Sequence, residues 1–166
     1  MRQRRHIVPG ADRSRKILLP WQVPGEIGLQ RGPNLLVDGD CEAVGVAAWS
    51  AVNATLSKQG SAYEGLQCLR ILNALGEATG QARQTILTVG KTYRITGAAR
   101  GDGTNAPLVY NASAVPSITI WVGTSLTAWQ LFDATFTAGN AVLRLRSEGA
   151  GEKYIELDSL YISEVV

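Results

Sequence analysis

The sequence lacks the residues that many enzymes and membrane proteins need. It contains one histidine, His6, so no Ser-His-Asp or Cys-His set can form in the rest of the chain. No apolar run approaches the twenty residues that a transmembrane helix requires. These absences predict a protein that is not an enzyme, requires no cofactor and does not cross a membrane.

Cysteine is also scarce. The chain has two cysteines, Cys41 and Cys68. We expect both to be free, partly buried thiols, with a disulfide between them as the alternative.

The start of the chain does not have the pattern of a secretion signal. Arg2, Arg4 and Arg5 resemble the charged beginning of one, but the apolar run at 17–21 is short and interrupted by proline. We therefore expect a protein that is made in a cytoplasm and stays there, or leaves it only by lysis.

Positive charge is concentrated in the first residues. Residues 1–31 hold seven cations and two acids, a net charge of +5, whereas the remaining chain holds nine cations and twelve acids, a net charge of −3. Four prolines interrupt residues 1–33, so we predict an extended basic arm there and not a helix. The candidate partner-binding residues of this arm are Arg2, Arg4, Arg5, Arg13, Arg15, Lys16 and Trp21.

Basic arms commonly bind nucleic acid, anionic lipid or an acidic protein surface, and a solvated tail is the alternative. Nucleic acid is the less favoured partner, because Trp21 is the one aromatic residue among the basic ones. We expect the arm to cross neighbouring subunits as a strap.

Residues 34–166 carry alternating apolar and polar segments separated by glycine-rich breaks, and no sustained helical stripe. Seven or eight strands at this spacing predict an all-β, antiparallel β-sandwich domain. The predicted strands are 65–72, 85–88, 92–100, 117–122, 129–137, 141–147 and 154–165, with NLLVDGDCE (34–42) as the first strand entering its turn.

Four segments in order resemble family 4/9 carbohydrate-binding modules, which are galactose-binding-like jelly rolls. Residues 34–42, followed by Trp49, resemble the Asn-Leu-Leu opening of that family. Residues 89–96 are similar to its Gly-Lys-x-Tyr strand, 127–137 to its Trp-Gln…Thr-Phe-Thr strand, and 154–160 to its terminal strand. The resemblance implies a jelly-roll body over 34–166 behind the arm at 1–33, and it implies that Trp49 and Trp129 are buried.

In that family a structural calcium ion often joins the first and last strands. The matching positions are Glu42 and Asp158, with Asp40 as a further ligand through its backbone carbonyl. The alternative is that these acids cap turns and accept hydrogen bonds from backbone amides.

Sugar modules present aromatic rings on one face of a sheet. Trp121 lies on the opposite side of its strand from Ile118 and Ile120, and Arg144 and Arg146 are placed similarly on theirs. These three residues are the candidate glycan-binding or interface face. The alternative for Trp121 is packing under a loop or against a neighbouring subunit.

Jelly rolls that resemble these modules also occur among structural proteins of tailed bacteriophages. We therefore expect a virion protein, a capsid decoration or tail-associated subunit, whose partners are other virion proteins in a symmetric homo-oligomeric assembly. The alternative is a stand-alone carbohydrate-binding module that recognises surface glycans. A sugar module normally accompanies a catalytic domain and a secretion signal, which favours the virion hypothesis.

Overall fold

The computed structural model describes residues 32–111, 118–149 and 151–166. These residues form ten strands in two antiparallel five-stranded sheets, which is the predicted all-β jelly-roll sandwich. The first sheet contains, in order, β1 (Ser50–Val52), β4 (Thr79–Thr85), β9 (Val142–Glu148), β6 (Ala106–Asn111) and β7 (Ile118–Val122). The second contains, in order, β2 (Ala54–Gln59), β3 (Cys68–Asn73), β10 (Tyr154–Glu164), β5 (Thr92–Arg100) and β8 (Gln130–Thr137).

The core lies between the two sheets and follows from strand alternation. Leu143 and Leu145 of β9 are fully buried, and so are Ile155 and Leu157 on β10 of the opposite sheet. Burial of each such side chain stabilises the fold by about 2 kcal/mol relative to exposure. Within the described residues no helix occurs that is long and apolar enough to cross a membrane.

The predicted first strand is wrong in one respect. Residues 34–42 form turns and no ladder, because Asp38 and Cys41 have φ angles of 56° and 60° in the left-handed region. The segment nevertheless follows β10, since the Leu35 amide donates to the Ile162 carbonyl at 2.9 Å. The Asp38 carboxylate accepts a hydrogen bond from the Ala43 amide at 2.8 Å and holds the turn.

Four strands were not predicted from the sequence, β1, β2, β4 and β6, and the strand predicted at 85–88 is wrong because it overlaps β4 only at Thr85. The clearest case is β4, where Gln81 and Arg83 flank the buried Ala82. A strand with one small apolar residue between polar ones carries little alternation signal. The predicted arm residues Arg2 to Trp21 lie outside the described part of the chain.

Candidate functional site

The outer side of the first sheet collects three arginines around one tyrosine. Because Leu143 and Leu145 of β9 point into the core, Arg144 and Arg146 project from the other side. Strand register places Arg83 and Tyr110 on either side of Arg144. We call this surface the arginine face, and it consists of Gln81, Arg83, Tyr110, Arg144, Arg146 and Glu148.

Tyr110 lies beneath two of the guanidinium groups. The Cζ of Arg146 is 4.9 Å from the centroid of its ring, and that of Arg144 is 5.7 Å away. Its hydroxyl donates to Gln81 Oε1 at 2.9 Å, across the intervening strand β9. Tyr110 is only 7% exposed although it belongs to an outer face. It therefore supports the arginines through cation–π contacts and is not itself an open stacking platform.

Gln81 orients the third arginine. Its Oε1 accepts hydrogen bonds from Nε and Nη2 of Arg83, at 2.9 and 2.7 Å. Burial lowers the pKa of Arg83, and the charge of Arg144 opposite lowers it further. An arginine stays charged at any ordinary pH, so this shift means that the positive charge is held there at a cost in stability.

Two of the arginines are incompletely bonded by the protein. Arg146 pairs with the Glu148 carboxylate, whereas no described residue accepts a hydrogen bond from Arg144. The Nε atoms of both arginines are buried and lack a hydrogen-bond partner in the described part of the chain. Buried polar atoms normally have a hydrogen-bond partner, so the two unpartnered Nε atoms need an explanation.

The strands of the second sheet carry balanced charges, unlike those of the first sheet. Its strands contain four cations and four acids, whereas the strands of the first sheet contain three arginines and one glutamate. Both Arg70 and Arg100 bind the buried Glu156, and Lys58 Nζ lies 2.6 Å from Asp38 Oδ2. The net charge of +2 on the first sheet is therefore a local feature of a body that is negative as a whole.

The structure places Trp121 differently from the prediction. A bulge between Val109 and Tyr110 shifts the register of β7, so Trp121 pairs with the core residue Val109. Its ring stacks on Phe132 with centroids 4.7 Å apart and packs against the core. Trp121 thus faces inward, away from Arg144 and Arg146, which do share an outer face.

The other two tryptophans of the described residues, Trp49 and Trp129, differ in burial. Trp49 is buried, as expected, with 5% of its surface exposed. Trp129 was expected in the core but is half-buried, with Arg100 above its ring at 4.5 Å. Tyr63 contacts it edge-on at 6.0 Å. The prediction failed because Trp129 lies just outside β8, where it follows the outward alternation of that strand.

A second surface feature lies near this aromatic pair. An open groove of about 410 Å³ is lined by residues that include Tyr63, Thr96, Leu131 and Ser159. Leu131 is 68% exposed, so the groove has an accessible apolar wall. It is the main competitor of the arginine face as a ligand site.

The predicted calcium ligands come together around one loop. Glu42 Oε1 accepts the Leu66 and Gln67 amides at 2.8 and 3.0 Å. Asp158 Oδ2 accepts the Tyr63 and Glu64 amides at 2.7 and 3.0 Å. Both carboxylates therefore anchor residues 63–67, as the alternative interpretation of these acids expected.

The fit of this site to calcium is partial. Burial raises the pKa of Asp158 although amide hydrogen bonds lower it, and the nearby charge of Glu42 raises it further. Two close carboxylates suit a divalent cation, but the described residues contain no group of three His, Cys, Asp or Glu that could hold a metal ion. Glu42 and Asp158 would supply carboxylate oxygens and Asp40 a carbonyl, and calcium binding stays a prediction.

Both cysteines are free and buried, as expected. Burial raises the pKa of Cys41 to about 12 and that of Cys68 to about 11. Because the thiolate is the nucleophile, neither residue is activated for chemistry.

Sequence reasoning found Arg144 and Arg146 but missed Gln81, Arg83 and Tyr110. The signal for the first two was strict alternation within one strand, LRLR at 143–146. Gln81 and Arg83 lie on the unrecognised strand β4, and Tyr110 on the unrecognised strand β6. The pairing that unites these three strands is long-range and leaves no local pattern.

Comparisons with known proteins agree with the fold. No protein-family model and no curated protein matches the chain. Solved structures do match: a CBM22 xylan-binding domain of Paenibacillus barcinonensis Xyn10C has a TM-score of 0.63 at 16% identity, over 81% of this chain and 96% of that one. TmCBM61, solved with β-1,4-galactotriose, has a TM-score of 0.58 at 13% identity, over 81% of this chain and all of that one.

The chain has the jelly-roll fold of carbohydrate-binding modules. The same fold relates it to tailspike protein 4 of bacteriophage CBA120, with a TM-score of 0.62 at 10% identity. That match covers 80% of this chain but only 21% of the tailspike, so it concerns one part of a much longer protein. At these identities the likenesses establish the fold, and function must be argued from the surface.

Proposed function

We propose that the protein is a non-catalytic carbohydrate-binding domain whose arginine face holds the glycan. The observation that carries the proposal is Arg144, a guanidinium on an outer sheet face with no acceptor among the described residues. Guanidinium N–H groups are strong donors, and sugar oxygens are matching acceptors. The solved structures of similar fold named above, one xylan-binding and one bound to a galactotriose, support the same class of ligand.

The arrangement also suits a binding surface in its rigidity. Arg83 is held by Gln81, and Tyr110 supports Arg144 and Arg146 from below. All of these residues lie on hydrogen-bonded strands and not on loops, which limits the conformational entropy lost on binding. A sheet face of this kind can contact several consecutive sugar units of an extended chain.

The test is a glycan array followed by titration calorimetry on the strongest ligand. We expect wild-type binding that Arg144→Gln and Arg83→Gln each weaken, while the surface control Lys91→Gln, on the second sheet's side, leaves it unchanged. Absence of binding to every glycan would overturn the proposal. Binding that Tyr63→Ala removes and Arg144→Gln spares would move the site to the groove beside Trp129.

A second candidate is a structural protein of a bacteriophage particle, for which the tailspike likeness is the supporting observation. In that role the basic residues 1–31 would attach the body to neighbouring virion subunits, and the assembled location would be the virion. The test is light scattering on the full chain and on residues 32–166. The candidate is supported if the full chain forms a symmetric oligomer and the truncated chain does not. It is contradicted if both the full chain and the truncated chain are monomeric.

A further inference from the structure

The arginine face has more positive charge than its own contacts need. Arg83 and Arg144 are direct neighbours across β4 and β9, and Arg146 follows two residues later. Like charges directly opposite in a sheet destabilise it, so such a pair is retained at a cost. Glu148 is the one acid on the described strands of this sheet, and its carboxylate forms an ion pair with Arg146.

The face is also the exception within its own protein. Residues 32–166 carry nine cations and twelve acids, a net charge of −3. The second sheet pairs its arginines with carboxylates, as Glu156 does for both Arg70 and Arg100. The same fold thus pairs arginines with carboxylates on its second sheet, yet no described carboxylate pairs with Arg83 or Arg144 on the first.

A neutral sugar bound to this face would displace water from the guanidinium groups of Arg83 and Arg144 without supplying an opposite charge. Desolvating guanidinium groups without an opposite charge is unfavourable, and hydroxyl acceptors recover only part of that loss. An anionic group recovers more, because charge-assisted hydrogen bonds are about twice as strong as neutral ones. The Nε of Arg144 is buried, so the donors left for such a group are those of its two Nη atoms, from which no described residue accepts a hydrogen bond.

We propose that the arginine face selects anionic glycans, with Arg83 and Arg144 binding a carboxylate or sulfate of the sugar chain and Arg146 binding beside them. This inference rests on the proposed glycan-binding function and narrows its ligand class. A guanidinium fork matches two oxygens of a carboxylate, and a sulfate offers a similar pair of oxygens. The experiment therefore contains one arm for each.

The carboxylate arm compares oligogalacturonates with the same oligomers fully methyl-esterified, titrated into the full chain. Esterification removes every charge but keeps the rings and linkages. The sulfate arm compares dextran sulfate with dextran. We expect the charged member of at least one pair to bind at least about tenfold more tightly than its neutral partner. We expect this preference to shrink in about 0.5 M salt.

Variants separate binding at the arginine face from general attraction by positive charge. Arg144→Gln is expected to weaken anion binding by about tenfold. Arg144→Lys, which keeps the charge but loses the fork, is expected to recover only part of it. The matched control is Lys91→Gln, which removes one positive charge from an exposed position outside the arginine face and should change affinity little. Circular dichroism confirms that each variant is folded.

Four other results would overturn the inference, and each indicates a different interpretation of the face. Equal affinity for charged and esterified oligomers keeps the glycan-binding function and removes the anion selectivity. Equal losses in Lys91→Gln and Arg144→Gln indicate attraction by the overall positive charge of the protein. Tighter binding of a single-stranded oligonucleotide than of any acidic glycan, lost in Arg144→Gln, assigns the face to nucleic acid. Binding of neither class removes the proposed function itself.

Discussion

Arg83 on β4 and Arg144 on β9 lie directly opposite each other in the first sheet, and neither is paired with a carboxylate of the described chain. Burial lowers the pKa of Arg83 and the charge of Arg144 lowers it further. The repulsion between these two arginines weakens the sheet, and an anionic ligand bound to both would relieve it.

We expect Arg144→Gln to raise the free energy of unfolding by about 0.5 kcal/mol, because it removes a like-charge pair. The measurement is urea denaturation at low salt, and the gain should shrink at high salt because screening already weakens the repulsion. Lys91→Gln is the control, since Lys91 bonds Glu164 at 2.8 Å and gains nothing from removal. A loss of stability in Arg144→Gln would contradict the repulsion argument.

Trp121 should matter for stability and not for ligand binding. Its ring stacks on Phe132 and packs against the core, so Trp121→Ala should lower the free energy of unfolding by about 3 kcal/mol. Glycan affinity, measured below the unfolding midpoint, should stay within about twofold of wild type, since the ring lies on the opposite side of the sheet from Arg144. Val122→Ala, at an exposed neighbour, is the control. A large loss of affinity with normal stability would return Trp121 to the binding site.

Glu156 is the buried acid that compensates the second sheet. Its carboxylate is 1% exposed and binds both Arg70 and Arg100. Glu156→Ala should therefore lower the free energy of unfolding by about 3 kcal/mol, because it leaves two partly buried cations unpaired. The matched change Glu164→Ala, at an exposed ion pair, should move the denaturation midpoint little. Equal effects of the two substitutions would refute the distinction.

Gly97 is required by the close packing of the sandwich. A Cβ there would lie 2.6 Å from Leu160 Cδ2 and 2.8 Å from Phe132 Cζ. Gly97→Ala should cost about 1–3 kcal/mol of stability through overpacking. At Gly60 a Cβ would meet nothing within 4 Å, so Gly60→Ala should be close to neutral. Thermal unfolding of the two variants in parallel tests this difference.

We propose from the sequence that a calcium ion joins Glu42 and Asp158. If so, a chelator should lower the unfolding midpoint of the wild type, because the bound ion stabilises the folded state. The chelator should have no effect on Glu42→Gln, which removes one ligand. Elemental analysis that finds no calcium, together with an unchanged midpoint, would leave both carboxylates as anchors of the loop at 63–67.

Much of the fold could be predicted because it depends on local patterns. The strand predicted at 92–100 is β5 with the same bounds, since Tyr93 and Ile95 alternate with Arg94 and Thr96. Alternation also placed Arg144 and Arg146 on one side of β9. The opening at 34–42 misled for a local reason as well, because its apolar run ends in left-handed turns at Asp38 and Cys41.

The sequence by itself determined an all-β chain, the pairing of two arginines on one strand face and the charge contrast between its first residues and the rest. Only the tertiary structure decided which faces meet. Strand period tells which side chains share a side, but register and bulges decide which side is the core. For that reason Trp121 turned inward, and Arg83 and Tyr110, from distant parts of the chain, came to lie beside Arg144.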